Sequence, residues 1–387
     1  MKIADLTGWA KGVLIALFAV MLVFTVCEGV ARVLWSKGLI RLDNFGVMRN
    51  YMKESDDNYL SFALSPDMSV MSKSYQGESF EIATNQDGLR DFDYPFEKKK
   101  GTFRIVALGD SITFGLAVPA EDTFPKLLEK RLNDGLADGK YEVINAGCPG
   151  YNTFFERTFY ERHMRKYAPD LILIGYCLND GKDSQYCYAF ARGGGTNSLI
   201  PLPGIVRKVL RRSVFYRHMA NRVNIFRTLL RTWIGMRVHK KAGGPQPQNS
   251  PSAGSAEDKP LQIYGSYENL KFLFSMGHSG DAWDYMEQKE LPQWAELARR
   301  DKVAVVFVIF PVFFSLDHYE LGHIHEKLKN ALEKEGLYAL DLLPYYQNKR
   351  EEDISDDCCH PNREGNHIAS EAIYEFLIQK KLIPSRS

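Results

Sequence analysis

Residues 103–108 (FRIVAL) form a short run, apolar except for Arg104, with the length and β-branched content of a strand buried on both faces. The run stops at Gly109, and the next two residues are an acid and a hydroxyl, Asp110 and Ser111. Comparable runs recur at 141–145, 170–175, 303–309 and 337–340. Helical patterns lie between them at 123–136, 154–167, 283–300 and 323–334, and a last one at 364–380 closes the chain. Asp122-Thr123-Phe124-Pro125 reads as a helix start, with a capping side chain and a proline in the first turn. This alternation predicts an α/β fold, a five-stranded parallel sheet between two layers of helices. Ligands of such sheets sit outside the carboxyl ends of the strands, so the residues just after each strand are the ones to examine.

Composition sets the outer limits. A chain of 387 residues holds one large domain with additions or two small ones, and a hydrophobic share of 45% is ample for a core. A net charge of +1 argues against wholesale nucleic-acid binding. That average hides an apolar segment and a basic one. Residues 12–27 (GVLIALFAVMLVFTVC) carry no charge and cover about 24 Å as a helix, against a hydrocarbon core of roughly 30 Å. Glu28 and Arg32 follow at i,i+4 and can pair, and Trp9 and Trp35 bracket the segment as interfacial anchors would. A cleaved signal peptide is the rival reading, with Lys2 and Lys11 as its basic part, but no small-x-small cleavage site follows the apolar run. The expectation is one transmembrane anchor helix in residues 1–37, with the positive-inside rule leaving its orientation open.

Residues 38–100 show little periodicity and read as an N-terminal extension, with a turn-rich stretch at 85–91 (NQDGLRD). Residues 101–387 form the α/β body, interrupted at about 181–281 by an insert. Within it, residues 201–241 contain eleven Lys or Arg and no Asp or Glu, interleaved with aliphatic and aromatic residues. A nucleic-acid patch, an anionic-lipid surface and a solvated helical face all fit this pattern; the anchor elsewhere in the chain favours lipid over nucleic acid. Residues 242–260 (AGGPQPQNSPSAGSAEDKP) have the composition of a disordered link. The insert reads as a flap beside the sheet's ligand-binding edge.

The strand ends supply, one after another, the parts an activated serine needs. Ser111 follows the first strand. Residues 145–152 (NAGCPGYN) follow the second, and their glycines let a backbone N–H approach a ligand closely. Asn179, in Cys177-Leu178-Asn179-Asp180, follows the third. Asp357 and His360, three residues apart ahead of the last helix, can bond through the imidazole Nδ1–H and leave Nε2 for the serine.

These four blocks resemble the SGNH, or GDSL, hydrolase superfamily of serine esterases and acyltransferases. Its first block is matched by Gly109-Asp110-Ser111, its second by Gly150, its third by Asn179 and its Asp-x-x-His block by Asp357 and His360. The likeness runs from about Asn85 to Leu377 and implies a flavodoxin-like sheet. An N-terminal helix ahead of Asn85, Gly88 and Arg90 also resembles the membrane-anchored members associated with cell-surface polysaccharides. The resemblance implies that Ser111 is the nucleophile, that His360 is the base and that Asp357 orients it. It further implies an oxyanion hole from the N–H groups of Ser111 and Gly150 and the Asn179 amide, with Asp110 and Asp180 as supports. Cys177-Leu178 stands where the family often has glycine.

No cofactor or metal is expected. His318, His323 and His325 lack clustered Cys or carboxylate partners. Gly277-His278-Ser279-Gly280 lacks the spacing of a lipase elbow, and Thr113 breaks that spacing at Ser111. Cys148, Cys177, Cys358 and Cys359 sit near the four blocks and Cys187 in the insert, so one or two disulfides are expected if the domain is extracytoplasmic. The expected function is a single-pass membrane esterase, its catalytic domain extracytoplasmic, removing a small acyl group such as acetyl from a carbohydrate or similar polar ester. An O-acyltransferase acting on a cell-surface polysaccharide and a non-catalytic glycan-binding member are the alternatives. No feature sets an oligomeric state.

Overall fold

The computed structural model describes residues 3–37, 52–55, 57, 59, 60, 62–74, 77–134, 141–181, 213, 215, 216, 219 and 267–384. The basic segment 201–241 beyond those four positions, the link 242–260 and Cys187 lie outside the described residues. The chain divides into two units, one drawn from residues 1–49 and 190–246, the other from 50–189 and 247–387.

In the first unit, helix α1 (Ile3–Ser36) runs unbroken through the apolar segment and past it. Its apolar window, Gly12–Leu34, has a mean hydropathy of 2.5 and is exposed along most of its length, with Ala31 buried. At 23 residues the window spans about 35 Å, enough to cross a membrane, a description that a signal sequence also meets. Glu28 pairs with Arg32 at 2.7 Å, and its second oxygen accepts from Ser213 Oγ (2.6 Å) and the Phe215 N–H (3.0 Å).

The second unit opens with two antiparallel pairs, β1 (Met52–Glu54) with β2 (Phe62–Leu64) and β3 (Ser69–Lys73) with β4 (Ser79–Ala83). The β3–β4 pair was not foreseen; in β4 only Phe80 and Ile82 are buried, alternating with exposed positions, as in a strand with one wet face. The main sheet follows: β5 (Phe103–Gly109), β6 (Tyr141–Gly147), β7 (Leu171–Tyr176), β8 (Ala304–Ile309) and β9 (Tyr338–Asp341). All pairings are parallel, in the order β6-β5-β7-β8-β9, which is the flavodoxin-like order. The chain reverses its direction of travel across the sheet at β5, so the crevice at a topological switch point opens at the end of that strand.

Two apolar cores flank the sheet. Val106, Leu108, Ile172 and Ile174 face the helices of 153–167, 267–301 and Gly322–Lys334. Ile105, Ala107, Leu171 and Leu173 face α3 (Phe124–Asn133) and the closing helix Arg363–Gln379. The helix Tyr267–Gly277, which sequence reading left unassigned, buries Leu270 and Phe274 in the first core. The predicted helix 154–167 is α4 (Thr153–Phe159), a wider turn at Tyr160–Met164 and a tighter one at Arg165–Tyr167. The expected local cap on α3 is absent: Thr123 makes no side-chain cap, and Asn366 of the closing helix accepts the Phe124 N–H at 3.0 Å.

Candidate active site

At the switch point β5 and β6 end in glycine, and Gly109 lies in register with both Gly147 and Gly175, the last residue but one of β7. This flat edge receives the one-turn helix α2 (Ser111–Phe114). A Cβ at Gly147 would overlap the Phe114 amide nitrogen, and one at Gly175 would overlap Thr113 Oγ1. Asp110 caps α2, its Oδ1 accepting the Ile112 N–H at 2.8 Å. Ser111 is thereby held at the end of β5.

Asp357 and His360 lie on a turn between the short helix Glu351–Ile354 and the closing helix. A bridge between Ser355 and Pro361 closes its base, and Ser355 Oγ donates to the carbonyls of Asp357 (2.5 Å) and His360 (2.7 Å). Asp357 Oδ1 accepts the N–H groups of Cys359 and His360, each at 2.7 Å. Its Oδ2 accepts Nδ1–H of His360 at 2.7 Å, and Nε2 of that ring lies 2.9 Å from Ser111 Oγ. Burial raises the Asp357 pKa, but the hydrogen bond and charge of His360 and the two N–H donors outweigh it and hold the carboxyl at about 2. Burial lowers the His360 pKa, yet the bond and charge of Asp357 prevail and raise it above its ordinary value. Such an arrangement ionises the carboxylate, fixes the ring tautomer and leaves Nε2 to take a proton from the serine.

Gly150 and Asn179 are exposed beside this chain of bonds. Gly150 has φ +82°, in a turn closed by the Tyr151 N–H on the Cys148 carbonyl (3.0 Å) and tied to β5 by the Cys148 N–H on the Gly109 carbonyl (3.0 Å). Asn179 stands on the turn after β7, where the Cys177 N–H donates to Asp180 Oδ2 at 2.8 Å. Its amide Nδ2 donates to Asp110 Oδ2 at 3.1 Å, linking that turn to the cap of α2. All five predicted site residues therefore meet at one edge, with Asp110 and Asp180 beneath them, both fully buried.

Residues 107–256 match the family model of GDSL-like lipases and acylhydrolases. The matched stretch includes Ser111, Gly150 and Asn179, and Asp357 and His360 lie beyond it. No curated protein matches the chain. Among solved structures it is similar to TesA, with 16% identity and a TM-score of 0.38 over 72% of this chain and 99% of that one. It is similar to a two-domain esterase active on acetylated mannans, co-crystallised with mannopentaose (15% identity, TM-score 0.39, 74% and 51% covered). A catalytic mutant of Axe2, an acetylxylan esterase from Geobacillus stearothermophilus, is a third (12%, 0.37, 75% and 100%).

One buried group beside the site escapes sequence reasoning. Glu156 of α4 is fully buried, and neither of its carboxyl oxygens has a hydrogen-bond partner. Burial, with the negative charges of Asp110 and Glu290, pushes its pKa well up. Nothing in a helical pattern separates such a position from an exposed one. The 85–91 stretch was named in the sequence, through Asn85, Gly88 and Arg90, without a place at the site; Arg90 is buried against α2 and the Asp91 carboxylate against β6.

The disulfide expectation is corrected. Cys27, Cys148, Cys177, Cys358 and Cys359 are free thiols. The sulfurs of Cys358 and Cys359 lie 3.4 Å apart, but adjacent residues are only about 3.8 Å apart at Cα, short of the roughly 4.4–6.8 Å a disulfide usually spans. Of the histidines considered for metal, His325 bonds Asp341 (2.8 Å) and Tyr319 (3.1 Å), and His323 bonds the Glu320 carbonyl (2.9 Å). Among the described residues no group of three or more His, Cys, Asp or Glu is arranged to hold a metal ion.

Proposed function

We propose that this chain is a membrane-anchored serine esterase that removes a small acyl group, acetyl in the first instance, from a carbohydrate or similar polar ester. The observation that carries the reading is the continuous chain Ser111–His360–Asp357, with contacts of 2.9 and 2.7 Å at the switch point of the sheet. Ser111 Oγ attacks the ester carbonyl while His360 Nε2 takes its proton. The oxyanion is met by the N–H groups of Ser111 and Gly150 and by the Asn179 amide. Collapse of the tetrahedral intermediate breaks the bond to the alcohol, which leaves with the proton returned by His360. Water then repeats the sequence on the acyl-enzyme and frees the acid; a sugar hydroxyl in its place would make the same site a transferase.

A polar alcohol part suits the surroundings. A cavity of about 370 Å³ lies beside the His360 turn, between the β3–β4 pair and the segment that continues α2. Ser74, Glu78, Ser79, Asn362 and Glu364 give hydroxyl groups partners along part of its wall, while Phe80, Ala117, Val118 and Pro119 make the rest apolar. The test is hydrolysis of p-nitrophenyl acetate by the full-length protein beside its Ser111→Ala variant. Turnover in the parent and a fall of about 10⁴-fold or more in the variant is the expected result. A folded parent inert towards activated esters would sink the simple-esterase reading and leave the gated transferase or the glycan-binding member.

A further inference from the structure

Arg90 belongs to the segment before the main sheet, yet its guanidinium reaches the far end of the helix that Ser111 begins. Nη1 donates to the carbonyls of Phe114 (2.8 Å) and Gly115 (2.5 Å), and Nη2 to that of Val118 (2.8 Å). The residue is 1% exposed, and its guanidinium carbon lies 4.9 Å from the Phe114 ring centre and 5.7 Å from that of Phe80. A single helical turn is not self-sustaining, since its one or two backbone bonds do not repay the fixing of its dihedrals. Holding the Phe114 and Gly115 carbonyls therefore holds the helix, and with it Ser111.

The arginine is itself held. Asn85 Oδ1 accepts the N–H groups of Asp87 (3.1 Å) and Leu89 (2.8 Å), and Asn85 Nδ2 donates to the Phe92 carbonyl (2.8 Å). Next in the chain, Asp91 accepts the Asn145 N–H of β6 at 2.7 Å and pairs with Lys126 at 2.9 Å. One short segment thus ties α2 to the strand that leads into the Gly150 turn.

We infer that Arg90 is a positioning residue for Ser111: its guanidinium fork fixes the C-terminal end of α2 and so sets the Ser111 hydroxyl before His360. The inference rests on the serine mechanism proposed above. Lysine would keep the charge but donate from a single point, and could not span three carbonyls in the same geometry.

The test uses full-length protein with Arg90→Lys, Arg90→Ala and Ser111→Ala, assayed on p-nitrophenyl acetate. Active sites are counted by exhaustive titration with a fluorophosphonate. A merely structural role would lower the number of titrated sites and the melting temperature while leaving turnover per site unchanged. A positioning role lowers kcat per titrated site by about 10- to 100-fold in both arginine variants, with KM within about twofold. Added guanidinium ion should restore part of the lost kcat in Arg90→Ala and none in Ser111→Ala. A folded Arg90→Lys with parental kcat per site would overturn the inference. Failure of Arg90→Lys to fold would assign the residue a structural role and overturn it equally. Undiminished turnover in Ser111→Ala would instead overturn the serine mechanism beneath it.

Discussion

His360 is governed by two opposed influences, burial that disfavours its charge and the Asp357 carboxylate that favours it, and the carboxylate prevails. Its neutral form is the base, so activity should rise with pH through a limb lying above the ordinary histidine value of 6.5. Removing the charge with Asp357→Asn leaves burial in control: the limb should move down in pH, and turnover should fall by about 10⁴-fold. A kcat/KM profile of both proteins checks the sign, and an unmoved limb would detach Asp357 from the histidine. For Asp357 the linkage runs the other way, because its folded value of about 2 lies below 3.8. The stability it contributes is present above its unfolded value and is lost as pH falls towards 2. Asn179 makes a narrower claim. Exposed and joined to Asp110, it should cost about 10²- to 10³-fold in kcat on change to alanine, with the melting temperature little altered. A kcat near parental would place the oxyanion elsewhere.

At the scale of elements, the site depends on α2 lying directly across three strand ends. Gly175→Ala should therefore cost about 1–3 kcal/mol of stability in a denaturant titration and should depress kcat as well, because relief of the overlap must displace Thr113 in the middle of α2. A variant with parental stability and turnover would mean that the edge yields more freely than its packing implies. All five sheet strands were legible to within two residues, because runs buried on both faces leave an unbroken apolar signal. The pair β3–β4 was not, since a five-residue strand with alternate wet positions is hard to tell from a polar loop. The α3 cap was misread for a different reason. Its acceptor, Asn366, is distant in the chain, and sequence reading sees only local partners. Among site residues, Ser111, Asp357 and His360 stood out because strand ends limit where chemistry can occur, whereas Glu156 became visible only through its burial.

At the scale of the whole molecule, the chain joins a 23-residue apolar window to an α/β esterase domain. As an anchor, α1 should keep the full-length protein in the membrane fraction through high salt and alkaline washing, and removal of residues 1–37 should release it. Release of the intact chain by salt alone would mean that charge, not the helix, holds it. The measurement that bears most directly on the account is the site of covalent capture. The full-length protein would be treated with a fluorophosphonate, digested, and read by mass spectrometry, alongside His360→Ala. A single adduct on Ser111, formed at least about 100-fold more slowly without the histidine, is the result expected of a serine activated by its imidazole. An adduct on another residue, or equal labelling in the two proteins, would contradict it.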